Sequence, residues 1–207
     1  MLMEENREIT NEEVKELVFW LNKENVPYLI IGGQAMMLRF NGRHTGDIDI
    51  MLPNDLNVLE QFKNVLRKLP NGNQLASSLD NDPELVDYVL NSENFRIDNG
   101  YLIDIMFNAS GNNYQDLVKY AENYDLDGVV YKSVNDKGLL LSKILANRNT
   151  DVMDKTFLVQ SIKEKYNEFP DKDENGNVIF VNIDEHNEKQ KNKLIDPIKK
   201  LVKKFRR

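Results

Sequence analysis

YLIIGGQAMMLRFNGRHTGDIDIML, residues 28 to 52, decides how the rest of this chain is read. It begins with an apolar run, Tyr28 to Ile31, of the kind that forms a short buried strand. Gly32 and Gly33 follow, and paired glycines let a backbone turn sharply and come close to a ligand. Gln34 to Phe40 reads as one helix, broken by Asn41-Gly42. Asp47 to Leu52 reads as a second strand with two carboxylates one residue apart. Side chains two apart on a strand share a face. Asp47 and Asp49 are therefore expected side by side, with Ile48 and Ile50 turned the other way into a core.

Two adjacent carboxylates repel by roughly 3 kcal/mol at about 5 Å and an effective dielectric near 20. A hard divalent cation held by oxygen ligands is the simplest way to offset that. A glycine turn at a helix N-terminus beside it would hold phosphate oxygens on backbone N–H groups. Further along, Phe95 to Ile97, then Asp98-Asn99-Gly100, then Tyr101 to Phe107 reads as a β-hairpin around a favoured Asn-Gly type I′ turn. Asp104 lies between Ile103 and Ile105, where burial without a partner is costly. Either it bonds to backbone or to an arginine, or it joins Asp47 and Asp49 from a neighbouring strand.

These residues resemble a family. Gly32-Gly33, thirteen intervening residues and then Asp47-Ile48-Asp49-Ile50 look like the signature of the polymerase-β-like nucleotidyltransferase superfamily. The run Arg43-x-Thr45-x-Asp47-Ile48-Asp49 is similar to its AbiEii-type branch, which includes toxins of toxin–antitoxin and abortive-infection systems. The resemblance covers about residues 10 to 160. It implies a nucleotidyltransferase-type mixed sheet flanked by helices, an α/β (α+β) fold with a helical C-terminal part. It implies two Mg²⁺ ions on Asp47, Asp49 and Asp104, with a nucleoside triphosphate as substrate. It also implies a triphosphate surface built from Gly32, Gly33, Arg43, Thr45 and Lys143. Lys143-x(4)-Arg148-x-x-Asp151-x-x-Asp154 resembles a second motif, in which a helical lysine faces phosphates and an Asp follows; either Asp151 or Asp154 fills that last place. For Arg43 and Thr45 the residues alone leave two roles, contact with the triphosphate or fixing the start of the second strand. A plain ion pair is a further reading for Arg43, and solvation is the expectation for His44.

Composition sets the bounds. Hydrophobic residues make up 41% and charged residues 29% of 207, as in a globular protein. The net charge of −7 argues against a broad nucleic-acid-binding surface, yet it is uneven. Residues 189 to 207 hold nine Lys/Arg and one acid, so that tail carries +8 and the remainder −15. The absence of cysteine removes thiolate chemistry and suits a cytoplasmic setting. No apolar run reaches membrane-spanning length, and the start, MLMEENREIT, lacks a signal peptide's apolar core. No P-loop, GxSxG elbow, HExxH or Cys/His zinc pattern competes with the carboxylates.

The remaining stretches complete the expectation. Thr10-x-x-Glu13 is a capping box opening a helix to about Glu24, with Val14, Leu17, Val18 and Leu21 on one face. Asn54 or Asp55 caps a helix to about Leu69, and polar residues 71 to 82 read as a loop. Pro83 to Leu90 is a short helix, Tyr114 to Tyr120 another, and Gly128 to Tyr131 a last strand. Helices follow at 135–147 and 151–166. Asp171 to Val178 matches the first eight positions of an EF-hand loop, but its twelfth position is Asn182, so a hairpin turn is the better reading. Glu185 to Arg207 is a helix candidate with a basic face, either a solvated face or a contact for RNA or an acidic partner. The domain expectation is a catalytic core over 1–133 and a helical region over 134–207, with a loop or hairpin near 171–182. The implied function is transfer of NMP from an NTP to an acceptor. The acceptor is RNA or tRNA if the chain is a toxin with an antitoxin partner, a small molecule such as an antibiotic, or a protein. A catalytically idle nucleotide-binding fold is the remaining alternative.

Overall fold

The structure, a computed structural model, describes residues 8–40, 44–92, 94–98, 102–109 and 111–188. The chain forms two compact units, Met1–Asp151 and Val152–Arg207. The first contains a six-stranded mixed sheet. Its strands are β1 (Leu29–Ile30), β2 (Asp47–Met51), β3 (Asn94–Asp98), β4 (Leu102–Met106), β7 (Ala121–Leu126) and β8 (Val129–Val134). Two-residue strands β5 (Asn108–Ala109) and β6 (Asn112–Asn113) pair separately. The order across the sheet is β3-β4-β2-β1-β8-β7. β2 runs parallel to β4 and antiparallel to β1, which is parallel to β8.

The first helix, α1 (Asn11–Lys23), begins where its sequence says it should. Thr10 accepts from the Glu13 N–H, and the Glu13 carboxylate accepts from the Thr10 N–H. Val14, Leu17, Val18 and Leu21 are buried, and α1 packs on β8. The paired glycines open α2 (Gly32–Met37), two residues earlier than the sequence suggests. Gly32 takes φ +59, which lets the helix start directly from β1. α2 lies on β2 and α7 (Asp136–Ala146). Ile48 and Ile50 are fully buried between the layers.

α3 (Leu56–Leu66) is capped by Asp55, whose carboxylate accepts from the Asn57 N–H at 2.7 Å. The chain then departs from expectation. Residues 71–82 are not a loop: Gly72–Asn81 form α4, followed by α5 (Pro83–Asn91). The inward positions of α4 include Gly72, Ala76 and Leu79, so its periodic face is built largely of small residues. Lys63 and Arg67 of α3 and its C-cap reach Asp80 of α4 at 2.8 and 2.5 Å. A Cβ on Gly72 would stand 2.0 Å from the Leu66 carbonyl oxygen, which is backbone and cannot step aside. Gly72→Ala is therefore expected to destabilise by about 1–3 kcal/mol, although Ala is the better helix former by about 1 kcal/mol. A urea-unfolding midpoint at or above wild type would refute this.

The far edge of the sheet also departs from expectation, with β7 beyond β8. β7, sequence AENYDL, is a polar edge strand without apolar alternation. It joins β8 through Asp127-Gly128, with Leu126 paired to Val129 and φ of 50 and 88 at the two turn residues. That is the I′ pattern for which Asp-Gly is suited. The Asn99-Gly100 hairpin differs. Asp98 pairs with Leu102, so three residues rather than two separate β3 from β4.

α6 (Tyr114–Val118) precedes β7. A 3-10 turn, Asn149–Asp151, closes the first unit. In the second unit, α8 (Val152–Tyr166) leads to a hairpin of β9 (Glu168–Lys172) and β10 (Val178–Asn182). The Asp173 carboxylate accepts from the backbone N–H groups of Asn175 and Asn177 and from the Asn177 side chain. The EF-hand-like string is thus the turn of a hairpin. The basic tail 189–207, with its apolar stripe, lies outside the described residues. No helix among the described residues is long and apolar enough to cross a membrane.

Candidate metal centre

β2 and β4 bring three carboxylates together because they are parallel neighbours in register, Asp49 beside Asp104. Asp47 lies one pleat away on the same face of β2. Asp47, Asp49 and Asp104 each offer an oxygen, and these atoms lie within 4.8 Å of one another. Such a set of hard oxygen donors is the chemistry that Mg²⁺ or Ca²⁺ takes and that a soft metal does not.

The three acids live in different surroundings. Asp49 and Asp104 are buried, while the Asp47 side chain is 27% exposed. Asp49 accepts the Gly33 N–H at 2.7 Å, with a further backbone bond from Gln34. Burial, reinforced by the neighbouring charge on Asp47, pushes its pKa up to about 7. The same contact explains Gly32. A Cβ there would stand 2.3 Å from Asp49 Oδ2. The glycine pair thus brings backbone close to the Asp49 carboxylate. Gly32→Ala is expected to cost roughly 1–2 kcal/mol in backbone conformation alone and to displace Asp49. Calorimetric titration with Mn²⁺ should then show at least a tenfold weaker site; unchanged affinity would remove this role for Gly32.

Thr45 Oγ1 donates to Asp47 Oδ1 at 2.8 Å, so it steadies the first carboxylate of β2. Arg43 lies outside the described residues. His44 is exposed and pairs with Glu8 at 3.0 Å. Lys143, on α7, is buried and donates to Asp151 Oδ1 at 2.9 Å. The pairing observed in the first unit is thus with Asp151. Asp154 is buried in α8 of the second unit.

One residue of the cluster carries no motif. Arg96 of β3 stands opposite Asp104 across the hairpin. Its Nε donates to Asp104 Oδ1 at 2.6 Å and its Nη2 to Asp104 Oδ2 at 2.6 Å. Nη2 also reaches Asp47 Oδ2 at 2.8 Å. The bonds to Asp104 hold the guanidinium pKa above its ordinary value. Counting Arg96 against the three acids leaves two negative charges when Asp49 is ionised, a deficit that a divalent ion matches.

Fold and site together define a class: a mixed sheet whose parallel neighbours present an acidic trio beside a glycine turn, suited to binding a hard divalent ion. No family model and no curated protein matches the chain. Among solved structures it is similar to an antigenic nucleotidyltransferase-like protein from Paracoccidioides brasiliensis. Identity is 18%, over 73% of this chain and 75% of that chain, with a TM-score of 0.45. At that distance the likeness adds no weight, and the functional reading rests on the residues of the site.

Proposed function

We propose that this chain is a metal-dependent nucleotidyltransferase. The observation that carries the reading is the meeting of Asp47, Asp49 and Asp104, one oxygen each within 4.8 Å, beside the Gly32-Gly33 turn. Two Mg²⁺ ions are the proposed occupants, and when bound they would supply Lewis-acid activation and neutralise charge developing on the phosphates. The chain's own residues then have distinct tasks. Asp47 and Asp49 are the ligands on β2, and Thr45 keeps Asp47 in its rotamer through the Oγ1 bond. Asp104 is a ligand that also accepts the proton of the attacking hydroxyl. The hydroxyl oxygen forms a bond to the α-phosphorus, the bond from that phosphorus to the β-phosphate oxygen breaks, and pyrophosphate leaves. Gly32, Gly33, Arg43 and Thr45 are the proposed triphosphate surface. Lys143 joins them by giving up its bond to Asp151 Oδ1.

The finer reading follows the AbiEii-type resemblance of Arg43-x-Thr45-x-Asp47-Ile48-Asp49. It makes the chain a toxin acting on RNA, with tRNA as the proposed acceptor and an antitoxin as partner. The +8 charge of residues 189 to 207 favours a polyanionic acceptor. The test is incubation of the full chain and Mg²⁺ with each α-labelled NTP, in the presence of total tRNA, protein extract or an antibiotic panel. Label in RNA supports the toxin reading, and label in another pool moves the acceptor. No label in any pool, with wild-type protein that binds Mg²⁺, would overturn the transferase assignment.

A further inference from the structure

Every acceptor atom of Asp104 that the proposed chemistry needs is engaged by Arg96. Both carboxylate oxygens receive an N–H at 2.6 Å, and Nη2 spans to Asp47. A fork that meets a carboxylate along both oxygens is a strong, geometrically matched pair. The guanidinium therefore stands where positive charge is wanted, between two of the three acids. It is not built in as a core ion pair. β3 is the edge of the sheet, and the Arg96 side chain is 54% exposed, against 8% for Asp104. A long side chain on an edge strand can swing into solvent without disturbing packing.

We propose that Arg96 is a tethered cation that occupies the acidic trio in the metal-free protein and is displaced when the divalent ion binds. This rests on the metal-site reading above and adds a residue to it. In the resting state Arg96 holds Asp47 and Asp104 near each other despite their repulsion. Metal entry is then an exchange of one cation for another, and the apparent affinity is lowered by the fraction of molecules in which Arg96 fills the site. The competing idea is that Arg96 is scaffolding, needed to aim Asp104 whether or not metal is present. The two make opposite predictions for one variant.

Metal-stripped wild type, Arg96→Gln and Arg96→Lys would be titrated with Mn²⁺, free ion being followed by electron paramagnetic resonance. If the paired state outweighs the open one about ninefold, Arg96→Gln should bind Mn²⁺ about tenfold more tightly than wild type. Arg96→Lys, a point charge without the fork, should fall between. The melting temperature of metal-free Arg96→Gln should drop, and saturating Mn²⁺ should raise it by more than it raises wild type. A readout on the unmodified chain guards against misfolding of the variants. The Arg96 Nε–H resonance should move toward the position of a solvated arginine as Mg²⁺ is added. Wild type that binds Mn²⁺ while Arg96→Gln binds it equally or more weakly overturns the exchange and leaves the metal site standing. Wild type that binds no divalent ion overturns both.

Discussion

Asp49→Asn is expected to lower nucleotidyl transfer by about a thousandfold or more and, in the absence of metal, to make the protein more stable. The first half follows from the metal-ligand role proposed for the group. Losing a charged ligand at a metal that stabilises developing phosphate charge removes several kcal/mol of transition-state stabilisation, and about 1.4 kcal/mol is a factor of ten. The second half follows from its setting. Asp49 is buried beside Asp47, and that burial raises its pKa to about 7. An amide has no charge to desolvate, and its oxygen can still accept the Gly33 N–H. A ligand position that is strained until its ion arrives should behave this way, because stability and activity pull in opposite directions there. Label transfer and urea unfolding of the two proteins, both stripped of metal for the unfolding measurement, check the two halves. An Asn variant with near-wild-type transfer would remove Asp49 from the machinery.

The second large effect is on pH. The folded-state pKa of Asp49, about 7, lies above its ordinary value of 3.8. Folding therefore favours the protonated form. Below pH 4 both folded and unfolded chains hold the proton, and the full stability is present. Between about 4 and 7 the unfolded chain has lost the proton while the folded chain keeps it, so stability falls with rising pH. Across some three units, at 1.36 kcal/mol each, the loss is of order 4 kcal/mol, complete just above pH 7. Asp80 and Asp173 run the other way, because hydrogen bonds hold their pKa values down. The measurement is therefore a difference: unfolding free energy of metal-free wild type minus that of Asp49→Asn, from pH 4 to 8. The difference should decline through that range. Saturating Mg²⁺ should flatten it, since a metal-bound carboxylate holds no proton. A difference independent of pH would mean that Asp49 ionises in the folded protein as easily as in water.

Much of this architecture was legible in the chain. The capping box of α1, its four buried apolar positions and Pro83 at the start of α5 are local features, and the structure reproduces them. The placement of Asp47 and Asp49 on one face of β2 follows from the two-residue period of a strand. Three features were not legible. α4 hid because Gly72 and Ala76 carry no hydrophobic signal, even though both are buried against their surroundings. β7 hid because an edge strand need not alternate. Its Asp127-Gly128 turn is the available clue, as favourable for a type I′ hairpin as an Asn-Gly pair. Arg96 hid because nothing in the sequence around it marks it as part of a site.

Arg96 shows most clearly where sequence reading stops. With a two-residue Asn-Gly loop, Arg96 would oppose Ile103, whereas the observed register sets it against Asp104. A one-residue slip turns every side chain of a strand to the other face. The sequence by itself determined which residues are acidic, how they alternate and which helices begin where, because those depend on contacts only a few residues apart. Strand order, the parallel register that sets Asp49 beside Asp104, and the arginine that meets them were decided by the tertiary structure. Those arrangements depend on how segments some fifty residues apart pack, and on loop geometry that short-range preference does not specify.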